Sequence, residues 1–144
     1  MEKVQFMKAY IDAQLPKKGT EYSAAYDLYA YKDCIVYPYV NYPALIDTGI
    51  IMGIPVGYCG MIKSRSSLAI NKSIQVMAGV IDSDFRTTTV KVALFNHSDK
   101  NFLIQKGDRI AQILFIPLLL ETEEVKEILL LGEDHRGFGS TGLR

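Results

Sequence analysis

Apolar and polar residues alternate in short runs along most of the chain, and Gly, Pro, Asn and Asp cut these runs apart. Residues 4–11, 26–30, 34–40, 45–54, 57–63, 80–82, 90–95, 101–104 and 110–116 are rich in β-branched and aromatic side chains, the pattern of half-buried strands. Many short strands with turn residues between them predict an all-β sandwich or barrel. Only Ser66-Ser67-Leu68-Ala69-Ile70 reads as a helical turn, with a serine placed to cap its first N–H groups. After Leu131 the character changes. Gly132, Gly137, Gly139 and Gly142 predict an arm with too much backbone freedom to hold a shape without a partner surface. The expected organisation is one β domain over residues 1–131 and a glycine-rich C-terminal arm over 132–144.

The most informative segment is Ala78-Gly79-Val80-Ile81-Asp82-Ser83-Asp84-Phe85-Arg86. Val80 and Ile81 are strand formers, Asp82-Ser83-Asp84 is turn chemistry, and Thr87 to Val92 resumes a β-branched run, so the pattern predicts a hairpin. Extended backbone offers alternating donors and acceptors, as the edge of a pyrimidine requires. Phe85 is placed to cover a ring or sugar, and Asp82 to poise a water as general base.

Composition narrows the partners. The 144 residues are 49% hydrophobic, enough for one core and too few for two domains. Lys plus Arg is 16 and Asp plus Glu is 16, so the formal net charge is zero, which argues against a nucleic-acid coating protein. Local positive charge at Lys63, Arg65, Lys72 and Arg136 still suffices for a small anion such as a triphosphate. Cys34 and Cys59 lack metal-ligand spacing and read as reduced, inert thiols, and the isolated His97 and His135 do not suggest zinc. The N-terminal residues have no long apolar stretch, and the run from Ile110 to Leu120 is interrupted by Gln112 and Pro117. The expectation is a soluble intracellular protein, cytoplasmic or nuclear, without a membrane or nucleic-acid partner.

Five ordered segments carry a family resemblance: Ala24-Ala25-Tyr26-Asp27-Leu28-Tyr29-Ala30, Ser64-Arg65-Ser66-Ser67-Leu68-Ala69, the Asp82 segment, Gly107-Asp108-Arg109-Ile110-Ala111-Gln112-Ile113, and Gly137-Phe138-Gly139-Ser140-Thr141-Gly142. Together they resemble the five motifs of the trimeric deoxyuridine triphosphate nucleotidohydrolases (dUTPases). The resemblance implies a distorted jelly roll, or β-clip, with one short helix, assembled as a homotrimer. It also implies hydrolysis of dUTP to dUMP and pyrophosphate with Mg2+. Asp82 would orient the water that attacks the α-phosphorus. Phe85 would stack on the deoxyribose and exclude a ribose 2′-OH, while backbone groups of Gly79 and Val90 read uracil and leave no room for a thymine methyl. Arg65, Ser66 and Ser67 would hold the triphosphate. Asp27 would bond to magnesium-bound waters, with Gln112 near the phosphates and those waters. In the arm, Phe138 would stack on uracil and Gly139, Ser140 and Thr141 would hold the terminal phosphates, over a neighbouring subunit's site.

The chain departs from the family pattern at several places. Phe85 stands for a common tyrosine, Ser67 and Ala25 for glycines, Ser64 for a proline, and Glu133 for an arm arginine that Arg136 is placed to replace. The related dCTP deaminases need a catalytic glutamate in the strand before the Phe-Asn pair, and Val92-Ala93-Leu94-Phe95-Asn96 has alanine there. A catalytically weakened dUTP-binding or regulatory protein of the same fold is the second expectation, resting on Glu133. The glycine-rich segment around Phe138 is not a phosphate-binding loop of the P-loop kind, because no helix follows it within the sequence.

Overall fold

The computed structural model describes residues 2–132 and 137. Among them the chain forms β1 (Gln5–Lys8), β2 (Lys17–Lys18), β3 (Tyr26–Tyr29), β4 (Cys34–Val36), β5 (Ala44–Asp47), β6 (Ile50–Gly53), β7 (Tyr58–Lys63), α1 (Ser66–Lys72), β8 (Ile74–Met77), β9 (Val80–Ile81), β10 (Lys91–Asn96), β11 (Phe102–Ile104) and β12 (Arg109–Pro117). A five-stranded sheet runs in the order β2-β3-β12-β7-β9 and a three-stranded sheet in the order β5-β10-β8, while β1 pairs β6 and β11 pairs β4. All the ladders are antiparallel. The result is the all-β architecture that the strand pattern predicts, in the distorted jelly-roll form with one short helix that the family resemblance implies.

One core joins these ladders. Leu28, Ile62 and Ile113 from the five-stranded sheet pack in the same cluster as Ile46, Ile74, Val92 and Leu94 from the three-stranded sheet, together with Ile50, Met52, Val36 and Ile104. Period-two alternation is strict where it matters: β10 alternates exposed or half-buried Lys91, Ala93 and Phe95 with buried Val92, Leu94 and Asn96. Among the described residues the two buried polar side chains, Thr48 and Asn96, are satisfied. The Thr48 hydroxyl donates to the Val90 carbonyl at 2.7 Å and accepts the Ile50 amide at 3.2 Å. The Asn96 amide donates to the carbonyls of Val36 and Lys100, and its oxygen accepts from the Ser98 amide and hydroxyl.

Several boundaries differ from the sequence expectation for physical reasons. The run over 45–54 is two strands, because Gly49 turns the chain at φ 69° with its amide on the Asp47 carboxylate at 2.8 Å. The run over 34–40 stops at Val36, ahead of Pro38 and of Tyr39 at φ 60°. Strands β2 and β8 carry too little apolar alternation to announce themselves; they form because β3 and β10 offer open edges. The expected hairpin around Asp82 is not a paired ladder. Strand β9 bonds to β7, and β10 bonds to β5 and β8, so its two arms belong to different sheets and stand apart.

A polar clamp ties the N-terminal segment to the β11–β12 turn. Lys106 forms an ion pair with Asp12 and lies 4.7 Å above the Tyr31 ring, and the Tyr31 hydroxyl donates to Asp12 at 2.7 Å. The hydrogen bonds from Lys106 and Tyr31 hold the Asp12 carboxyl down at about 2, and the bond to Asp12 pushes Tyr31 up to about 12. The depressed Asp12 value makes its contribution to stability full above 3.8 and lost as pH falls through about 2. The raised Tyr31 value makes its contribution full below 10 and lost as pH rises through about 12. An ultraviolet pH titration of the folded protein is expected to show one tyrosine ionising near 12, and Asp12→Asn is expected to return that midpoint toward 10. An unchanged midpoint in the variant would remove the clamp as its cause.

Candidate active site

The register of β12 assembles one half of the site. Gln112 lies opposite Asp27 of β3 on one side and Lys63 of β7 on the other, and Asp27 in turn lies opposite Lys17 of β2. Directly paired residues in a sheet project to the same face, so Lys17, Asp27, Gln112 and Lys63 form a row across four strands on its outer side. The neighbouring row, Tyr26, Ile113 and Ile62, projects inward, and Ile113 and Ile62 lie in the core. A register irregularity between Arg109 and Ala111 sets Arg109 opposite Tyr29 on the outer face, where its guanidinium lies 3.8 Å from the Asp27 carboxylate.

A groove of about 540 Å³ opens over this row, lined by Ser23, Asp27, Lys63, Ser64, Gln112 and neighbouring small residues. The Gln112 amide nitrogen donates to the Ser64 carbonyl at 3.0 Å, which fixes the amide plane and leaves its oxygen as the remaining acceptor. The Ser64 hydroxyl accepts the Val76 amide at 2.9 Å, tying the entry of α1 to β8. Arg65 is held by a bond from its guanidinium to the Arg109 carbonyl at 3.1 Å, and it occupies the N-cap position of α1. The pattern predicts a serine cap here. Instead no side chain makes the cap bond, and Ser66 and Ser67 fall inside the first turn, both exposed.

The second half of the site is the turn after β9. The Phe85 amide donates to the Asp82 carbonyl at 3.1 Å, closing a four-residue turn that leaves Asp82 exposed and Phe85 40% exposed. Arg86 pins this turn to the body: its Nε donates to the Ser83 carbonyl and its Nη2 to the Ile54 carbonyl, each at 2.5 Å. Gly79 sets the approach. It stands at φ 117°, its carbonyl accepts the Ile62 amide at 2.8 Å, and a Cβ at this position would come within 2.8 Å of the Ile62 carbonyl oxygen.

Both the sequence and the fold are shared with known proteins. The sequence profile of the dUTPase family matches residues 12–142. The chain is a member of the dUTPase family. It is 47% identical to the deoxyuridine 5'-triphosphate nucleotidohydrolase of Fowlpox virus (strain NVSL), with all of both chains covered. It is 41% identical to the enzyme of the same name from Saccharomyces cerevisiae, over 97% of this chain and 93% of the yeast one. Its fold superposes on the dUTPase of Staphylococcus bacteriophage 80alpha, a complex with dUPNHPP, with a TM-score of 0.87 over 99% of this chain and 100% of that one, at 24% identity. A mutant dUTPase of phage phi11 of S. aureus, described as coordinating a structural Mg(II) ion, superposes with a TM-score of 0.77 at 22% identity, covering 88% of this chain and 98% of that one.

Within this dUTPase-family chain the structure brings together Asp27, Gln112 and the approach to Arg65, Ser66 and Ser67, and sets Asp82, Phe85 and Gly79 apart as a second cluster. Val90 has a different task from the one the sequence assigns it. Its side chain is fully buried, its amide donates to the Ile50 carbonyl at 2.8 Å, and its carbonyl accepts both the amide and the hydroxyl of Thr48. With its donor and both lone pairs engaged, Val90 anchors the returning chain in the core and does not read a base. Arg136, Phe138, Gly139, Ser140 and Thr141 lie outside the described residues. Sequence reasoning gave no role to Arg86 and Arg109; a single arginine beside an Asp-rich turn or after Gly-Asp is a weak signal until the fold shows which carbonyl or carboxylate it meets.

Gly79 makes the sharpest test of how this half-site is built. Gly79→Ala combines a left-handed backbone with a clash against strand β7, so it is expected to destabilise the protein by about 2 kcal/mol or more in urea unfolding. A loss below about 0.5 kcal/mol would show that β9 does not need this close approach.

Proposed function

We propose that the chain is a dUTP diphosphatase that hydrolyses dUTP to dUMP and pyrophosphate, with Asp82 aiming the attacking water at the α-phosphorus. The observation that carries this reading is the presentation of Asp82 on a turn locked by its own backbone bond and by Arg86, beside a ring, Phe85, that is half open to a ligand. A carboxylate carried on a backbone held this way accepts a proton from water from a defined position, which favours one direction of attack. Phe85 stacks on the sugar by shape, and uracil is read by backbone groups of Gly79 and its neighbours on the splayed turn. Arg65, Ser66 and Ser67 take the triphosphate. The relatives' shared name, deoxyuridine 5'-triphosphate nucleotidohydrolase, supports this substrate.

Magnesium fits the donor set. Among the described residues there is no cluster of three or more His, Cys, Asp or Glu that would cage a metal, whereas Asp27 and the Gln112 oxygen are hard donors suited to an ion that keeps its waters and binds mainly through phosphates. When bound, the ion neutralises phosphate charge. Asp27 and Gln112 would orient its waters, and Arg109 keeps the Asp27 carboxylate turned along the sheet face.

The strand register sets the two clusters well apart within one chain. Asp82 follows Ile81, which pairs with Gly60, while Asp27 is level with Lys63 on the same strand β7. Three strand spacings of about 4.8 Å and four residues of about 3.3 Å separate them by roughly 20 Å. A water bridge from Asp82 to phosphorus and a metal-water bridge from phosphate to Asp27 together reach about 14 Å between carboxylates, so one chain closes the gap only with both side chains laid along the sheet toward each other, whereas strand side chains stand roughly perpendicular to it. This supports a site shared between subunits of a homotrimer, with Asp82 facing Asp27 of a neighbour. An apolar row on the outer face of the three-stranded sheet, Leu45, Ala93 and Met77, with Leu45 68% exposed, supplies surface for such packing.

Asp82→Ala is expected to lower kcat for dUTP by at least a hundredfold while leaving binding of a non-hydrolysable analogue within a few-fold, because the lost interaction belongs to the transition state. Pyrophosphate release and calorimetric titration read the two quantities. Near-normal turnover in the variant, or turnover of dTTP, dCTP or UTP comparable with dUTP in the unaltered protein, would contradict the proposal.

A further inference from the structure

The outer face of the five-stranded sheet carries more positive charge than the roles already given to it use. Lys17, Lys63 and Arg109 share that face with Asp27. Arg109 has Asp27 as its partner, and Lys106, elsewhere, has Asp12. Among the described residues Lys63 has no carboxylate partner. It nevertheless lines the groove with Asp27, Ser64 and Gln112, whereas Lys17, at the other end of the row, does not.

Its position is also specific. Lys63 is the last residue of β7, immediately before Ser64-Arg65-Ser66-Ser67, so its ammonium and the Arg65 guanidinium flank the same short stretch of chain. Gln112, its neighbour across the ladder, is locked by the bond to the Ser64 carbonyl and does not swing to engage the lysine. A lysine side chain extends about 6 Å, further than the strand spacing of about 4.8 Å, so the ammonium sweeps the space in front of Gln112. A triphosphate brings about four negative charges, and compact ammonium groups are well suited to meeting phosphate oxygens as point charges. At the arm position where the family pattern has arginine, this chain has Glu133, so the arm's candidate cation for the distal phosphates is the displaced Arg136.

We propose that Lys63 is a substrate-binding residue that contacts the β- and γ-phosphate oxygens of the nucleotide, completing the charge that Arg65 begins. This deepens the dUTP reading above and rests on it for the identity of the nucleotide, though not for the binding of the polyphosphate itself. Lys63 acts on the phosphates distal to the bond that breaks, so it chiefly strengthens binding, and its loss falls mainly on KM.

The test uses the full chain and compares Lys63→Ala, Lys63→Arg and Lys100→Ala, the last removing the same charge from a lysine outside the groove. Inorganic triphosphate with magnesium is titrated calorimetrically, and dUTP kinetics are followed over a range of salt concentrations. Lys63→Ala is expected to weaken triphosphate binding about tenfold, to raise KM for dUTP by a similar factor, and to flatten the salt dependence of kcat/KM, the scale of one charged hydrogen bond. Lys63→Arg is expected to recover most of both losses, Lys100→Ala to change neither, and inhibition by dUMP, which lacks the distal phosphates, to be the same in all of them. Triphosphate binding that is undiminished in Lys63→Ala, or diminished equally in Lys100→Ala, overturns the assignment. A protein that binds inorganic triphosphate through Lys63 yet does not cleave dUTP would retain this site and lose the substrate reading. Cleavage of dUTP with Lys63→Ala unaffected would do the reverse.

Discussion

Strand β12 is the element on which the site depends, because it is hydrogen-bonded on both sides and its register decides what meets what. With Gln112 opposite both Asp27 and Lys63, and Lys17 beyond Asp27, segments distant in sequence deliver one carboxylate, one amide and two ammonium groups to a single row. A slip of β12 by one residue would send Gln112 into the core and bring Ala111 and Ile113 out to solvent, a change that their burial beside Leu28 and Ile62 opposes. The core therefore fixes the site without any residue of the row being buried in it. The irregularity between Arg109 and Ala111 adds the one local adjustment that turns Arg109 toward Asp27.

The Asp82 turn rests on a different device. Its incoming strand is only two residues long and is held by a glycine pressed against β7, while its outgoing chain is anchored where Val90 bonds to Thr48 and Ile50. Arms drawn into separate sheets leave backbone between them without a ladder partner, which suits a planar ligand that brings its own donors and acceptors. Arg86 gives this open loop the rigidity that a paired hairpin would otherwise provide. Rigid presentation matters because water activation by a carboxylate depends on direction as much as on basicity.

Much of this was legible in the residues. Alternation in β7, β10 and β12 is long enough to mark strands, and turn chemistry at Asp82-Ser83-Asp84 marks the loop. Strands β2 and β8 were not legible, since two lysines or an Ile-Gln-Val-Met run acquire strand geometry only when β3 or β10 offers an edge. Thr48-Gly49 inside an apolar run hid a strand break, although the glycine was its signal. For the candidate site, the motif resemblance named Asp27, Arg65, Asp82 and Gln112, but their pairing partners did not follow from spacing. Val90 reads as an exposed backbone edge in sequence and turns out to be a core anchor, and Lys63 reads as one of four local charges open to an anion until the ladder places it beside Gln112.

The central claim is that Asp82 and Asp27 act on one nucleotide from different subunits. It is tested most directly by mixing two inactive proteins, Asp82→Ala and Asp27→Ala, unfolding and refolding them together in equal amounts, and measuring dUTP hydrolysis. In a cyclic trimer with shared sites, about a quarter of the sites pair an intact Asp82 from one subunit with an intact Asp27 from its neighbour, so the mixture is expected to regain about a quarter of the unaltered activity. A mixture as inactive as its two components would place both carboxylates in a single chain's site and contradict the account.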